Sequence, residues 1–266
     1  MKFDTVANMA KGIGFQALAG ESKLQLIRSP WPSNALPPPT ASLLSIASKK
    51  GLLAAGGPDS VVVASTDAVR QAFNANDGGN TKSFEPQLTL SLGTRISHVS
   101  FTANEEFLIL SAEDGGGLAA YEVQSLSQGN TQSALELSTS GVALREVLPN
   151  PTAERAELVA VVTSNGQLIM ANLSTRQFTS GPQGQTLKDG VSCVSWSNKG
   201  KQLIAGLANG TCLQMTPEGE TKAEIPKPEN VEGDQHGKSY SFNREKPPLI
   251  LVSQCPRSIG SRTTSS

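Results

Sequence analysis

The sequence predicts an all-β protein, a WD40-like β-propeller whose blades are four-stranded antiparallel sheets. Apolar runs too short for helices alternate with turns rich in Gly, Pro, Asn and Asp. The second strand of each unit recurs about every 40 to 50 residues, which is the period of propeller blades. One segment is also copied later in the chain, a feature that a β-sandwich of similar strands would lack.

The first predicted blade covers residues 41–92. Its three inner strands are apolar runs divided by a Lys-Lys-Gly turn and a Gly-Gly-Pro-Asp turn, at 43–46, 52–55 and 61–64. An outer strand follows at 87–92, where apolar and polar residues alternate as in a strand with one exposed face. These four strands complete one blade.

Two further units follow the same plan, at residues 95–138 and 142–180. In the unit at 95–138, three apolar strands are followed by an outer strand at 134–137. In the unit at 142–180, two apolar runs flank Asn165-Gly166, and Asn-Gly between such runs is a strong hairpin signal. Both units therefore predict blades of the same kind.

The fourth unit, at 190–226, supplies the internal copy. Residues 191–197 (VSCVSWS) align with 96–102 (ISHVSFT), and Leu203 aligns with Leu108 at the same offset. Two segments that lie two units apart therefore share a sequence, as expected of repeated blades.

The same alignment makes Trp196 the counterpart of Phe101. Each ring is the last residue of a strand in which apolar and polar residues alternate, and a polar turn follows. We therefore expect both rings to fill the gap between neighbouring twisted sheets. The residues expected to be mostly buried are Leu44, Leu53, Val62, Phe101, Leu108, Leu158, Leu168, Val194, Trp196 and Leu203.

Composition and charge limit the possible partners. Of the 266 residues, 37% are hydrophobic and 17% are charged, which is enough apolar material for a sizeable core. The formal net charge of -1 gives no general attraction to nucleic acid or to an anionic membrane. The first residues lack the apolar region of a signal peptide, and no stretch is long and apolar enough for a membrane span. We therefore expect no direct nucleic-acid binding and no membrane insertion.

The chain offers little for catalysis or metal binding. His98 and His236 are the only histidines, and the three cysteines lack CxxC spacing. Residues 233–239 (GDQHGKS) resemble a phosphate-binding loop, but they are one residue short between the glycines and follow no buried strand. We therefore predict no catalytic, cofactor-binding or metal-binding residue and no cofactor.

Individual polar and thiol side chains favour structural roles. We expect His98, on an innermost strand, to be packed or hydrogen-bonded, and its counterpart Cys193 to be a small buried hydrophobic residue. Glu105, Glu106 and Glu220 lie in predicted turns, where solvent exposure is the default.

Two functional classes fit a propeller. A docking scaffold presents loops of a rigid ring to a protein partner, whereas a propeller enzyme places acids, bases or metal ligands around the central channel. The predicted innermost strands carry mainly Leu, Ile and Val, with Ser and a single His between them. This scarcity of reactive groups favours docking.

The opening segments resemble a known family. Residues 14–19 (GFQALA), 39–57 (PTASLLSIASKKGLLAAGG) and 61–64 (VVVA) are similar to the N-terminal β-propeller of the large cytoplasmic-filament FG nucleoporin of the nuclear pore, in its fungal form. Beyond them the match thins to blade pattern, up to about His236.

The resemblance implies a seven-bladed, non-enzymatic propeller at the cytoplasmic face of the nuclear pore complex. Its implied partners are the DEAD-box RNA helicase of messenger RNA export and other nucleoporins. About four of the seven blades are present, and residues 15–27 would supply strands that close the ring. The alternatives are a WD40-like scaffold of another multiprotein complex and a propeller enzyme.

The composition changes after His236. We divide the chain into a partial propeller at 1–236 and a divergent tail at 237–266 that is expected to be disordered. Gly237-Lys238-Ser239 can be encoded by a sequence containing the common intron-start signal. The chain is therefore interpreted either as a truncated or mistranslated product of a longer nucleoporin, with the break near Gly237, or as a chain with a genuine divergent tail. Sequencing the transcript across these codons separates the two.

Overall fold

The computed structural model describes residues 24–25, 31–32, 34, 37–38, 40–75, 82–113, 117–179 and 186–225. Within these residues the chain forms four antiparallel sheets, here called blades 1 to 4, and one two-stranded parallel pair. The predicted all-β fold of four-stranded antiparallel blades is confirmed. The predicted tail, and all of the predicted closing segment except its residues 24–25, lie outside the described residues.

Blades 1 and 2 are each built from four strands that pair in chain order. The strands of blade 1 are β2 (Leu44–Ala47), β3 (Leu52–Gly56), β4 (Ser60–Ser65) and β6 (Leu88–Ser91). The strands of blade 2 are β7 (Ile96–Phe101), β8 (Phe107–Ala112), β9 (Gly117–Glu122) and β10 (Leu135–Ser138). The parallel pair consists of β1 (Leu24–Gln25) and β5 (Lys82–Ser83).

Blades 3 and 4 follow the same plan with one variation. The strands of blade 3 are β11 (Leu144–Pro149), β12 (Leu158–Thr163), β13 (Leu168–Asn172), β14 (Gln177–Thr179) and β15 (Thr186–Lys188). The strands of blade 4 are β16 (Val191–Trp196), β17 (Leu203–Leu207), β18 (Cys212–Met215) and β19 (Thr221–Ile225). Blade 3 differs from the prediction because both β14 and β15 pair with β13, so two short strands form its outer edge.

Two short helices follow the third strands of blades 1 and 2, and neither was predicted. The helix α1 spans Thr66–Asn74, and its first turn is capped by the Ser65 hydroxyl, which accepts a hydrogen bond from the Ala68 N–H at 3.4 Å. The helix α2 spans Val123–Ser127 and buries two apolar side chains three residues apart. A 3-10 turn at Ala153–Arg155 precedes β12. All three lie within the predicted blades, not between them.

The sheets pack face to face, and each interface holds one apolar cluster. Blades 1 and 2 share a cluster that contains Val61, Leu90, Val99 and Leu108. Blades 2 and 3 share one that contains Ile109, Leu118, Val159 and Ile169. Blades 3 and 4 share one that contains Leu168, Met170, Leu203 and Met215. Full burial stabilises the fold by about 1.5–3 kcal/mol for each large apolar side chain, so these interfaces hold the stack together.

One predicted core residue is exposed. Leu44 is 58% exposed, and Ile46 on the same strand is 53% exposed. Side chains alternate along a strand, so Ser45 and Ala47 face blade 2 while Leu44 and Ile46 point to the opposite face of the sheet. No described sheet packs on that face, and the prediction for Leu44 was wrong. The other predicted core residues are buried, apart from the partly buried Leu158.

Trp196 and Phe101 occupy equivalent buried sites, as predicted. Each is 8% exposed and pairs with a leucine at the start of the second strand of its blade, Leu203 and Leu108 respectively. The indole Nε1 also donates a hydrogen bond to the Leu148 carbonyl of blade 3 at 2.9 Å. Trp196 therefore joins two blades by both packing and a hydrogen bond.

Truncating Trp196 tests this role. We expect Trp196→Ala to lower the free energy of unfolding by about 3–5 kcal/mol, because a large buried ring is lost. Trp196→Phe keeps most of the packing and removes the hydrogen bond, so it should cost about 1–2 kcal/mol. Urea unfolding measures both values.

Fluorescence in a Trp31→Phe background provides an independent check. Trp196 emission should be shifted to the blue relative to free indole, because the ring is buried. Emission like that of indole in water, or an equal cost for the two substitutions, would contradict the assignment.

Candidate functional site: the innermost strands of the blades

A β-bulge recurs near the start of the innermost strand in blades 2, 3 and 4. In β7, β11 and β16 the register with the neighbouring strand shifts at the same place, which leaves Ser97, Arg145 and Ser192 without a partner residue in the ladder. A bulge bends the strand and increases its twist. It therefore sets where the next side chain of each innermost strand points.

The two bulge serines make the same contact, and Arg145 makes a different one. Ser97 Oγ donates to the Ser111 carbonyl at 3.1 Å, and Ser192 Oγ donates to the Gly206 carbonyl at 2.9 Å. Arg145 Nη2 instead donates to the carbonyl of Val191 in blade 4 at 2.6 Å. The bulge residue of blade 3 thus bonds the next blade, whereas the serines bond their own sheets.

The position directly after the bulge is occupied by His98, Glu146 and Cys193. These three residues differ in chemistry, and Cys193 belongs to the last blade that the structure describes. Cys193 is half-buried, so it is less enclosed than the sequence suggested. Of the other two residues, Glu146 bonds the neighbouring blade, and His98 bonds its own sheet.

His98 is packed and hydrogen-bonded, as predicted. Its side chain is 3% exposed, and Nδ1 lies 3.0 Å from the Ser97 hydroxyl oxygen and 3.4 Å from that of Ser111. Within the described part of the chain, Nε2 has no hydrogen-bond partner. Burial lowers the pKa of His98 from 6.5 to about 4, and the nearby backbones of Arg145 and Thr40 oppose this shift. The ring is therefore neutral at physiological pH.

Glu146 links blade 3 to blade 4. Its Oε2 accepts a hydrogen bond from the Val194 N–H at 3.1 Å. The equivalent N–H in blade 2, that of Val99, donates to the Ser42 carbonyl at 2.6 Å. A side-chain carboxylate thus replaces a backbone carbonyl as the acceptor between blades. Burial raises the pKa of Glu146, while the Val194 N–H and the charge of Arg145 oppose the rise.

Arg145 and Glu146 were not predicted as functional residues. The innermost strands were expected to carry Leu, Ile and Val with Ser and one His, and the third unit was expected to begin at Val142. The strand spans Leu144–Pro149, and the bulge interrupts its alternation of apolar and polar residues. The signal for the bulge was the pair Leu144 and Val147, which face the same cluster although two residues separate them, and strict alternation does not predict this spacing.

Glu105 is a second correction, because it is buried and not on the solvated surface. It is 8% exposed, and its carboxylate accepts hydrogen bonds from the N–H groups of Lys49 at 3.1 Å and Lys50 at 2.8 Å. It thereby ties a turn of blade 2 to the β2–β3 turn of blade 1. Its φ of 60° lies in the left-handed region, which these contacts must stabilise. Glu106 and Glu220 are exposed, as predicted.

A buried amide adds another link between blades 3 and 4. Asn150 is 1% exposed, and its Nδ2 donates to the Gly200 carbonyl at 2.8 Å. Gly200 has a φ of 62°, and a Cβ added there would overlap the Asn150 side chain. The turn of blade 4 therefore needs glycine to approach blade 3 this closely.

The described innermost strands carry few reactive groups, and most of these take part in hydrogen bonds. Across the described residues, no group of His, Cys, Asp and Glu is arranged to hold a metal ion. The helices of that part of the chain are also too short or too polar to cross a bilayer. Arg145, Glu146, Glu105 and Asn150 bond neighbouring blades, an arrangement that suits a docking surface.

The chain matches the NUP159/214 beta propeller family over residues 37–241. It belongs to that family. It is 57% identical over 228 residues to nucleoporin NUP159 of Chaetomium thermophilum, which covers 85% of this chain and 15% of the relative. It is 30% identical over 200 residues to nucleoporin nup146 of Schizosaccharomyces pombe, which covers 73% of this chain and 14% of the relative. The chain thus spans about one seventh of the length of these relatives.

Solved structures share the fold. The N-terminal domain of Nup159 matches with a TM-score of 0.58 at 14% identity, over 81% of this chain and 56% of that chain. A structure of Saccharomyces cerevisiae Dbp5 bound to Nup159, Gle1, IP6 and ADP matches with a TM-score of 0.59 at 14% identity, over 80% of this chain and 56% of that chain. The predicted family and the predicted nuclear pore location are confirmed by the relatives, which are nucleoporins.

The NUP159/214-type propeller should lose stability as the pH falls from about 6.5 to 4. The folded pKa of His98 lies below its unfolded value, so the unfolded chain takes up a proton first. The stability present above pH 6.5 is therefore lost progressively, by about 3 kcal/mol once the pH is below 4. Urea unfolding across this pH range measures the loss.

His98→Gln serves as the non-titrating control for this pH dependence. Glu146 acts in the opposite direction, since its raised pKa favours the folded state at lower pH, so the comparison with the variant isolates the histidine. A pH profile that is unchanged in His98→Gln would show that the histidine contributes nothing.

Glu105→Ala should lower the free energy of unfolding by about 1–3 kcal/mol, because the N–H groups of Lys49 and Lys50 lose a charged acceptor. Glu106→Ala is the matched control, because Glu106 is the next residue and its side chain is exposed. It should change the free energy of unfolding by less than about 0.5 kcal/mol. Urea unfolding at pH 7 compares the two. Equal effects would mean that the link between blades 1 and 2 does not depend on this carboxylate.

Proposed function

We propose that this chain is a docking propeller at the cytoplasmic face of the nuclear pore complex, where it binds a DEAD-box RNA helicase during messenger RNA export. Its membership of the NUP159/214 family, together with the solved assembly in which Dbp5 is bound to Nup159, carries the proposal. Other nucleoporins are the further proposed partners. The chain binds no nucleic acid directly.

The contacts between blades support a docking role. A docking surface must hold its loops in fixed positions, so that little ordering entropy is lost when the partner binds. Glu105, Glu146, Asn150 and Trp196 each fasten a turn or strand of one blade to the next. The same contacts occupy side chains that an enzyme would use for chemistry, so we propose a non-enzymatic protein without catalytic, cofactor-binding or metal-binding residues.

We also propose that the propeller part of the chain ends near residue 236 and that residues 237–266 form a divergent tail. The family match extends to residue 241, which supports a boundary in this region. The tail is not required for the helicase contact in this proposal.

Binding to the purified helicase tests the proposed function. The full chain should bind the family's DEAD-box helicase saturably, with an affinity in the micromolar range or tighter, by isothermal titration calorimetry. An unrelated DEAD-box helicase is the control and should not bind. If the folded chain fails to bind at the highest soluble concentration, or binds both helicases equally, docking of this partner is wrong.

A metal-content assay and a panel of hydrolase substrates address the enzyme alternative. We expect no stoichiometric metal and no turnover. Turnover that is abolished by a substitution on an innermost strand would overturn the scaffold role.

A further inference from the structure

A groove of about 530 Å³ opens between blades 1 and 2 and reaches from the first residue of the innermost strand β7 to the outer strand β10. Its wall on the blade 1 side comes from Leu92 and Thr94, just after β6. Its wall on the blade 2 side runs outward across the sheet from β7 to β10. The groove is therefore separate from the blade-to-blade hydrogen bonds described above.

Small residues on the blade 2 wall leave the groove open. Ala112, Gly117 and Ala119 line it where larger side chains would fill the space between the two sheets. Gly117 has a φ of 117°, and a Cβ added there would overlap the Leu137 carbonyl. The glycine allows the start of β9 to lie close against β10.

The groove combines an apolar floor with one carboxylate. Leu92 and Leu110 supply apolar surface, and Glu136 is the one charged side chain among the described residues that line it. The Glu136 Oε1 accepts a hydrogen bond from the Ser133 hydroxyl at 2.7 Å, and the side chain is exposed. The lining therefore favours a ligand that presents both an apolar group and a positive charge.

Tyr121 adds a polar group inside the groove. Burial, together with the charge of Glu136, raises the pKa of Tyr121, so its hydroxyl stays neutral and can donate or accept a hydrogen bond. No Lys or Arg is among the described residues that line the groove. The negative charge of Glu136 is therefore left to attract a cation from outside.

The outer strand of blade 2 offers backbone groups as well. Within the described part of the chain, β10 is the last strand of its sheet and pairs only with β9. An extended peptide that lies along such an edge can form main-chain hydrogen bonds, while pockets beside the edge select its side chains. An edge strand next to an apolar, acidic groove suits an extended ligand.

We propose that this groove binds an extended segment of a protein partner that carries a lysine or arginine next to an aliphatic residue. The cation pairs with Glu136 and its side-chain stem lies over Tyr121, while the aliphatic side chain packs on Leu92 and Leu110. The site shares only Ile96 with the innermost strands, and its occupancy does not depend on helicase docking.

Selection from a random heptapeptide phage library tests the proposal on the full chain. Wild-type protein should enrich peptides with Lys or Arg adjacent to Leu, Ile or Val. Glu136→Lys should abolish this enrichment, because it places a cation where the ligand's cation binds. Enriched peptides should bind wild type at least about tenfold more tightly than they bind the variant, which corresponds to about 1.4 kcal/mol.

Glu122→Lys is the matched control. Glu122 is an exposed carboxylate of the same blade that accepts a hydrogen bond from a serine three residues away, as Glu136 does, but it does not line the groove. This variant should keep the wild-type enrichment. Ala119→Leu, which fills the groove without changing charge, should weaken binding of the enriched peptides, and circular dichroism checks that each variant is folded.

Three results would overturn the proposal. One is the absence of any basic enrichment with wild-type protein, and another is equal enrichment by Glu136→Lys and wild type. The third is concentration-dependent self-association of the chain that Glu136→Lys abolishes, since a second copy would then be the occupant.

Discussion

Burial of one sheet face against the next is the interaction on which the rest of this structure depends. A four-stranded sheet of this size has two apolar faces and cannot cover either of them alone. The clusters between blades 1 and 2, 2 and 3, and 3 and 4 provide that cover. Where no described sheet packs, as on the far face of β2, Leu44 and Ile46 are left exposed.

Apolar stacking is non-directional, so the polar links between blades define the geometry. Each described link pairs a donor and an acceptor that would otherwise be buried without a partner, as with the Val194 N–H and the Glu146 carboxylate. Hydrogen bonds are sensitive to distance and angle, and they therefore fix the rotation of one sheet on the next. The Ser42 carbonyl, which accepts from the Val99 N–H, fixes blade 1 on blade 2 in this way. The Trp196 indole, which donates to the Leu148 carbonyl, does the same for blades 3 and 4.

The sequence was sufficient to predict the blades, because turn residues and apolar runs are local signals. The equivalence of Trp196 and Phe101 followed from the internal copy, and both rings are buried. The roles of Glu105 and Glu146 could not be predicted, because their partners lie 48 to 56 residues away in another blade. Glu105 was predicted to be solvated because it lies in a turn and because acidic residues are rarely buried unless a specific partner compensates them.

Because the sheets are twisted, neighbouring blades bond each other at their innermost strands and leave a gap towards their outer strands. Innermost strands lie close enough for direct hydrogen bonds, such as that from the Val99 N–H to the Ser42 carbonyl, whereas twisted sheets diverge towards their outer strands. Larger side chains must fill the outer gap to keep it closed. Between blades 1 and 2 the wall carries Ala112 and Ala119, so the gap stays open as a groove. Rigidity is thus provided near the centre, and room for a ligand is left at the outer edge.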